Sequence, residues 1–363
     1  MPMPKVSICT IAMNRLHHVQ KTLPSNLKEN DTPDVNFLLL DYNSSDGLQD
    51  YIRGNYQEEI NTGKLVYYRY EQANDFDRCH SRNMALKLAA GDVLCNLDAD
   101  NYAGRGFGQF VQEIFSDKNR ICLTGLENPW KHDASGKLCV RRDDFMEVTG
   151  YDESFDGYGF EDFDIVNRLG LNGCEPFTIN KSDFLKAISH ERNERLSNES
   201  FCKLLEGLYV HFIDPSTSEL LYQFKDHTCL KGIIINSFTR NSNTPETAIP
   251  RNARFLSQFY LPQGWKMGRW HESADKLQLS FEDGKQEYSK KISQGQELVS
   301  NQERTYYLVS NTTMQLEAIS FFTEMKNRDR MINNLSEKRI RVNSEFGKGI
   351  VYKNFNRHEP IAV

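Results

Sequence analysis

Long apolar runs are missing from this 363-residue chain. No stretch approaches the roughly 18 apolar residues that a membrane-crossing helix needs, so none is expected. The N-terminus, MPMPKVSICTIAMN, enters a β-like run directly, with no apolar h-region and no small-residue cleavage site. Export by a signal peptide is therefore not expected. A basic excess is missing too. The 44 Lys and Arg against 50 Asp and Glu leave a formal charge of −6, which argues against broad, sequence-independent nucleic-acid binding. It leaves room for a small anionic ligand held by a local basic patch or a metal. None of the eight cysteines forms a C-x-x-C pair, and several lie in apolar runs. Free, buried thiols in a reducing cytosol are expected. No internal repeat or low-complexity tail is visible. What is present is a globular composition, 39% hydrophobic and 26% charged, with 22 Phe and 16 Tyr. The length suits two domains better than one.

The first half alternates strand and helix signals. Lys5–Ile11, Val35–Asp41, Lys64–Tyr70 and Asp92–Leu97 are apolar, β-forming runs. Arg15–Glu29, interrupted by Pro24, and Arg78–Ala90, stopped by Gly91, carry helical spacing. Continuous apolar strands in a β-α-β-α rhythm predict a parallel sheet covered on both faces. Ligands of such sheets bind at the carboxyl ends of the strands, where Asp41, Asp98 and Asp100 stand. From about Leu205 to Asn311 the runs become short and alternating, for example Leu208–Ile213, Leu220–Phe224 and Leu277–Phe281. That spacing predicts a β-sandwich or barrel. Met314–Leu335 then reads as a helix, and Arg339–Phe355 as strand, Gly turn and strand.

Asp98-Ala99-Asp100 leaves a buried strand. Two carboxylates at i and i+2 can address different groups, a metal and a ribose or a second metal. Hard divalent cations suit such oxygen ligands. Three further motifs surround this pair: Thr10-Ile11-Ala12-Met13-Asn14-Arg15 after the first strand, Asp41-Tyr42-Asn43-Ser44-Ser45-Asp46-Gly47 after the second, and Ser81-Arg82-Asn83 before Gly91-Asp92. In order and spacing over residues 5–101 they resemble the GT-A class of nucleotide-sugar glycosyltransferases, in particular glycosyltransferase family 2. A second block, Lys137–Leu169, resembles the C-terminal half of the β-1,4-galactosyltransferase catalytic domain. Its Gly157-Tyr158-Gly159-Phe160 loop precedes Glu161-Asp162-Phe163-Asp164 at a helix start. By that resemblance Asp162 is the catalytic base and Glu161 holds the acceptor. Six acids and one Arg lie between Gly150 and Gly170. Such crowding raises a carboxylate pKa toward the range of a general base, while a helix N-terminus pulls the other way.

The resemblance also makes His190, in Ile188-Ser189-His190-Glu191, a metal ligand beside Asp100. The galactosyltransferases have a Met three residues before that His; here it is Ala187, which cannot bind metal. Either Mn²⁺ or Mg²⁺ is compatible with the remaining set. Thr10, Asn14, Arg15, Asp41, Asn43, Arg82 and Asp98 are the implied donor-binding residues. Phe321–Arg357 holds nine Lys/Arg and four Asp/Glu and resembles the closing segment of some bacterial family 2 transferases, where a basic lid over a diphosphate fits. His17 and His18 read as a solvated helix face, and Trp130 as either a loop aromatic near the donor or a surface Trp. Tyr260, Trp265 and Trp270 are read first as core of a small β domain, with an acceptor platform as the alternative.

The organisation implied is a GT-A α/β catalytic domain over 1–204, an inserted β-rich module over 205–315 and a returning C-terminal segment over 316–363. The activity implied is inverting, metal-dependent transfer of a hexose or N-acetylhexosamine from a UDP-sugar to a glycan or lipid-linked acceptor. Its setting would be polysaccharide biosynthesis, in the cytoplasm or peripherally at the inner face of the membrane. A sugar nucleotidyltransferase would need a Gly-rich loop after the first strand, and Ala12-Met13-Asn14-Arg15 has no glycine. A non-catalytic glycan-binding protein is the other alternative; the intact acids argue against decay.

Overall fold

The computed structural model describes residues 3–118, 120–126, 134–189, 194, 203–214, 217–235 and 265–363. The chain divides into two compact units, Met1–Glu199 with Lys326–Val363, and Ser200–Met325.

The first unit is built on a nine-stranded sheet. Its centre is the parallel run expected from the sequence: β1 (Val6–Ala12) between β2 (Val35–Tyr42) and β4 (Val93–Asn96), with β3 (Leu65–Tyr70) beyond β2. These strands are apolar on both sides because helices cover both faces. Val6, Ile8, Leu39 and Val93 belong to one core, and Cys9, Leu38, Leu40 and Leu94 to the other. β6 (Leu138–Arg141) adds antiparallel to β4, followed by β5 (Ile121–Thr124) and then β7 (Glu175–Thr178). On the other side, β16 (Ile350–Lys353) pairs antiparallel with β3 and β17 (Asn356–Ala362) closes the edge. The expected strand at Arg339 therefore begins only at Ile350. The residues before it dock through side-chain-to-backbone bonds instead, such as Asn343 Nδ2 to the carbonyls of Thr149 and Tyr151.

The second unit is a closed eight-stranded antiparallel barrel: β8 (Leu205–Asp214), β9 (Thr217–Phe224), β10 (Thr228–Ile235), β11 (Lys266–Ser273), β12 (Lys276–Phe281), β13 (Gln286–Ile292), β14 (Glu297–Ser300) and β15 (Thr305–Leu308). Tyr209, Leu221, Leu277, Leu279 and Leu298 fill one core of this unit. Trp265 packs against Tyr222, Phe321 and Phe322, and a Cβ on Gly232 would lie 2.1 Å from its indole. Trp270 Nε1 donates to the Phe224 carbonyl at 2.9 Å. Both rings are spent on packing, as the first reading held; Tyr260 lies outside the described residues.

A helix runs over Thr312–Ser336. Its last turns are bonded into the first unit. Asn334 Nδ2 donates to Asp152 and to Asp164, each at 2.9 Å, and Arg330 reaches Asp152 at 3.1 Å. Asn334→Ala leaves two buried carboxylates short of a donor and is expected to cost about 1–3 kcal/mol, measured by denaturant unfolding.

Seven cysteines are free and buried, as expected: Cys9, Cys79, Cys95, Cys122, Cys139, Cys174 and Cys229. Burial pushes the Cys122 thiol up to about 12, so it is inert as a nucleophile. Among the described residues no helix is long and apolar enough to cross a membrane.

Candidate active site at the strand ends

The carboxyl ends of β1, β2 and β4 converge as the sequence predicts, but their acids have different tasks. Asp41 is fully buried. The β2–β3 register sets Arg69 directly opposite it. Its Oδ2 accepts from Tyr67 at 2.7 Å and from Arg69 at 2.5 Å, and its Oδ1 from the Ser44 amide at 2.7 Å. Asn43 donates to the Ala73 carbonyl at 2.7 Å, and Arg69 donates to its Oδ1 at 3.4 Å. Asn14, at φ 55°, accepts from the Ser45 amide on its Oδ1 at 2.8 Å and donates from its own backbone amide to the Ser44 hydroxyl at 3.0 Å. Asn14, Asp41 and Asn43 thus build the loop frame, and Thr10 lies on β1.

A cleft opens beside that frame. Arg15, His18, Arg78, Arg82, Asp98, Asp100, Glu161 and Asp162 all contribute to its wall, with Phe76 and Tyr158 as its aromatic members. Six of the expected site residues, Arg15, Arg82, Asp98, Asp100, Glu161 and Asp162, therefore meet. Arg82 is the hub. It comes from α4 (Arg78–Leu88), whose N-cap Asp77 accepts from the His80 amide. Its guanidinium is buried and donates to Asp162 at 2.8 Å, to Glu161 at 3.3 Å and to Asp98 at 3.1 Å. It also lies 5.3 Å from the Tyr151 ring centroid. Arg78 flanks the hub, 3.3 Å from Glu161, and stacks over Tyr158 at 5.0 Å.

The neighbouring Asn83 has a structural task. Its amide pairs both ways with the Tyr151 backbone, at 2.7 and 2.9 Å. Gly150, at φ 66°, must be glycine here, since a Cβ would sit 2.3 Å from the Asn83 oxygen. This pins the second motif block to α4. Glu161, Asp162 and Asp164 then occupy the first turn of α7 (Glu161–Leu171). Asp164 turns away from the cleft to a 2.7 Å ion pair with Arg168. Asp162 stays at the cleft. Burial pushes its carboxyl up to about 7; Arg82 opposes the rise, Glu161 and Asp98 add to it, and Arg78 opposes it.

Asp100 lines the same cleft and accepts from Asn101 Nδ2 at 2.6 Å. His190 and Trp130 lie outside the described residues. The chain before His190 is stitched to the Asp100 loop. Ala187 bridges Asn101, and the Ile188 amide donates to the Asp100 carbonyl at 2.8 Å.

Two expectations change. His18 is buried rather than solvated and belongs to the cleft. His18, Thr22 and Asn26 share the buried side of α1 (Leu16–Glu29), and that i, i+4 spacing was the available signal. His17, His18 and Glu194 also place one potential metal-ligand atom each within 4.8 Å of one another, with Arg15 3.9 Å from the Glu194 carboxylate. The second change concerns the basic C-terminal segment. Several of its charges are engaged within the fold: Lys326 pairs with Asp156, Arg330 with Asp152, Arg339 with Glu337, and Arg341 donates to the Glu147 carbonyl. Two of these cations, Lys326 and Arg330, answer acids of the 152–156 turn.

Residues 7–127 match the family described as glycosyl transferase family 2, and residues 120–191 match the one described as N-terminal domain of galactosyltransferase. The chain is thus glycosyltransferase family 2-like over residues 7–127 and galactosyltransferase-like over residues 120–191. A 64-residue stretch, 18% of the chain, is 36% identical to human chondroitin sulfate synthase 3 and covers 6% of that protein. A mannosyltransferase from Pyrobaculum calidifontis, solved with GDP-Man and Mn²⁺, is 16% identical, with a TM-score of 0.45 over 56% of this chain and 64% of its own. A Drosophila β1,4-galactosyltransferase 7 mutant, in complex with manganese, UDP-Gal and xylobiose, is 13% identical, with a TM-score of 0.38 over 54% of this chain and 74% of its own. At that distance neither structure bears on a donor or acceptor of this chain. The chain spans a small fraction of the human relative and under two thirds of the mannosyltransferase.

Proposed function

We propose that this chain is a glycosyltransferase that moves a hexose or N-acetylhexosamine from a UDP-sugar to a hydroxyl of a glycan or lipid-linked saccharide, with inversion, in polysaccharide biosynthesis. A cytoplasmic or membrane-peripheral setting goes with that reading. The observation that carries it is Asp162: a carboxyl at the cleft wall, pushed up to about 7 and held at 2.8 Å by Arg82. A base poised near the working pH is what abstraction from a hydroxyl needs.

In the proposed step the acceptor oxygen attacks the anomeric carbon and its proton passes to Asp162. The bond from that carbon to the diphosphate oxygen breaks, and its electron pair leaves with the diphosphate. One displacement gives one inversion. Glu161 orients the acceptor. Thr10, Asn14, Arg15, Asp41, Asn43, Arg82 and Asp98 form the donor side, with Asp41 and Asn43 acting from behind it. The donor set fits a divalent cation, since Asp98 and Asp100 present hard oxygen ligands to one cleft. Asp100 and His190 would hold Mn²⁺ or Mg²⁺, which offsets charge on the leaving diphosphate.

A thermal-shift screen of nucleotide sugars with Mn²⁺ tests the donor assignment. A UDP-hexose or UDP-N-acetylhexosamine is expected to raise the melting temperature, because a ligand of the folded state stabilises by mass action, and EDTA is expected to abolish that rise. A response to other nucleotides only, or one indifferent to EDTA, would contradict the reading.

A further inference from the structure

Lys137 is an unexpected cation in the catalytic unit. Ser135-Gly136-Lys137 reads as a turn, where a lysine is ordinarily solvated. The structure leaves it 1% exposed. Its Nζ donates to the Tyr102 carbonyl at 3.0 Å and to the Phe184 carbonyl, and stands 5.1 Å from the Phe107 ring centroid. No carboxylate forms an ion pair with it among the described residues. Burial pushes the ammonium down to about 8. A cation so placed is costly to bury.

The two carbonyls belong to the two segments that matter for a metal. Tyr102 lies two residues beyond Asp100. Phe184 lies in the short turn Ser182–Leu185 that leads into Ala187 and on toward His190. The segments touch closely: a Cβ on Gly104 would meet the Asp183 carbonyl at 2.4 Å. They are zipped by Tyr102 N to Lys186 O at 2.9 Å and Ile188 N to Asp100 O at 2.8 Å. Lys137 ties both at one point. The residue before it, Gly136, packs against Asp98, where a Cβ would lie 2.5 Å from Oδ2.

We propose that Lys137 is a positioning residue for the divalent-cation site: its ammonium fixes the Asp100 loop against the 182–188 segment and so sets cation affinity without touching cation, donor or acceptor. This rests on the metal reading above, and the experiment separates the two. Mn²⁺ binding is titrated by the electron paramagnetic resonance of the free ion, and melting is followed without metal, for the parent, Lys137→Met and Asp100→Asn. Lys137→Met is expected to fold but to melt somewhat lower than the parent, because it leaves the Tyr102 and Phe184 carbonyls short of a donor. It should bind Mn²⁺ about 10–100-fold more weakly, as loss of an outer-sphere partner does, with kcat recovered at saturating Mn²⁺. Parent-like Mn²⁺ affinity in Lys137→Met, with binding lost in Asp100→Asn, overturns the role of Lys137 alone. Parent-like affinity in Asp100→Asn overturns the metal reading itself. Should Lys137→Met not fold, Lys137→Gln decides: weakened Mn²⁺ binding supports the proposal, and parent-like binding overturns it. Failure of both to fold assigns Lys137 to stability alone and also overturns it.

Discussion

Asp162→Asn is expected to slow glycosyl transfer by about 10²–10⁴-fold, the usual worth of a positioned general base, while leaving donor affinity intact. The amide keeps the size of the carboxyl and can still accept from Arg82, so the cleft wall survives. What it loses is the ability to take the acceptor proton. The pH dependence carries the same signature. A base works deprotonated, and the Asp162 carboxyl stands at about 7. The parent's kcat/KM, which reports the free enzyme, should therefore fall as pH drops through about 7 and level off above it. The residual rate of Asp162→Asn should lack that limb.

Arg82→Met is expected to displace the limb itself. Arg82 is the cation shared by Asp98, Glu161 and Asp162, and it holds the Asp162 carboxyl down against burial and its neighbouring acids. Removing an opposite charge at ion-pair distance moves a carboxyl by about 1–3 units. The sign is upward, so the variant's base is protonated at neutral pH and its activity returns in part under alkaline conditions. Breaking a buried ion pair on one side also costs stability, about 3–5 kcal/mol. A residue that served only the donor would raise the donor's KM and leave the limb where it was. The pH profile of kcat/KM separates those roles.

Much of the catalytic frame was legible because it is written locally. Continuous apolar runs gave away β1 to β4, and acids directly after those runs marked the ligand end of the sheet. The Gly157–Asp164 block carried its own turn and helix start. Roles fixed by partners distant in sequence were not legible. Asp41 looks like a ligand residue at a strand end, yet the β2–β3 register hands its oxygens to Tyr67 and Arg69. Arg82 was readable as a donor contact, but its hold on Asp162, eighty positions away, exists only once α4 and α7 meet. The C-terminal cations look like a phosphate-binding patch until Asp152 and Asp156 are brought to Arg330 and Lys326. Lys137 is the extreme case, since a lysine beside Gly136 carries no local mark of burial. In the barrel, β11, β13 and β14 were missed: β11 and β13 mix charged and polar residues into the alternation, and β14 is only four residues long.

The most direct test of the account is release of nucleoside diphosphate from a panel of nucleotide sugars, with saccharide acceptors present and absent. It is followed in parallel for the parent chain and Asp162→Asn. The account predicts acceptor-stimulated release by the parent, lost on adding EDTA, and a deep loss in Asp162→Asn with donor binding retained. Near-parental release by Asp162→Asn, or no release from any donor by a parent chain that still binds glycan, would contradict it.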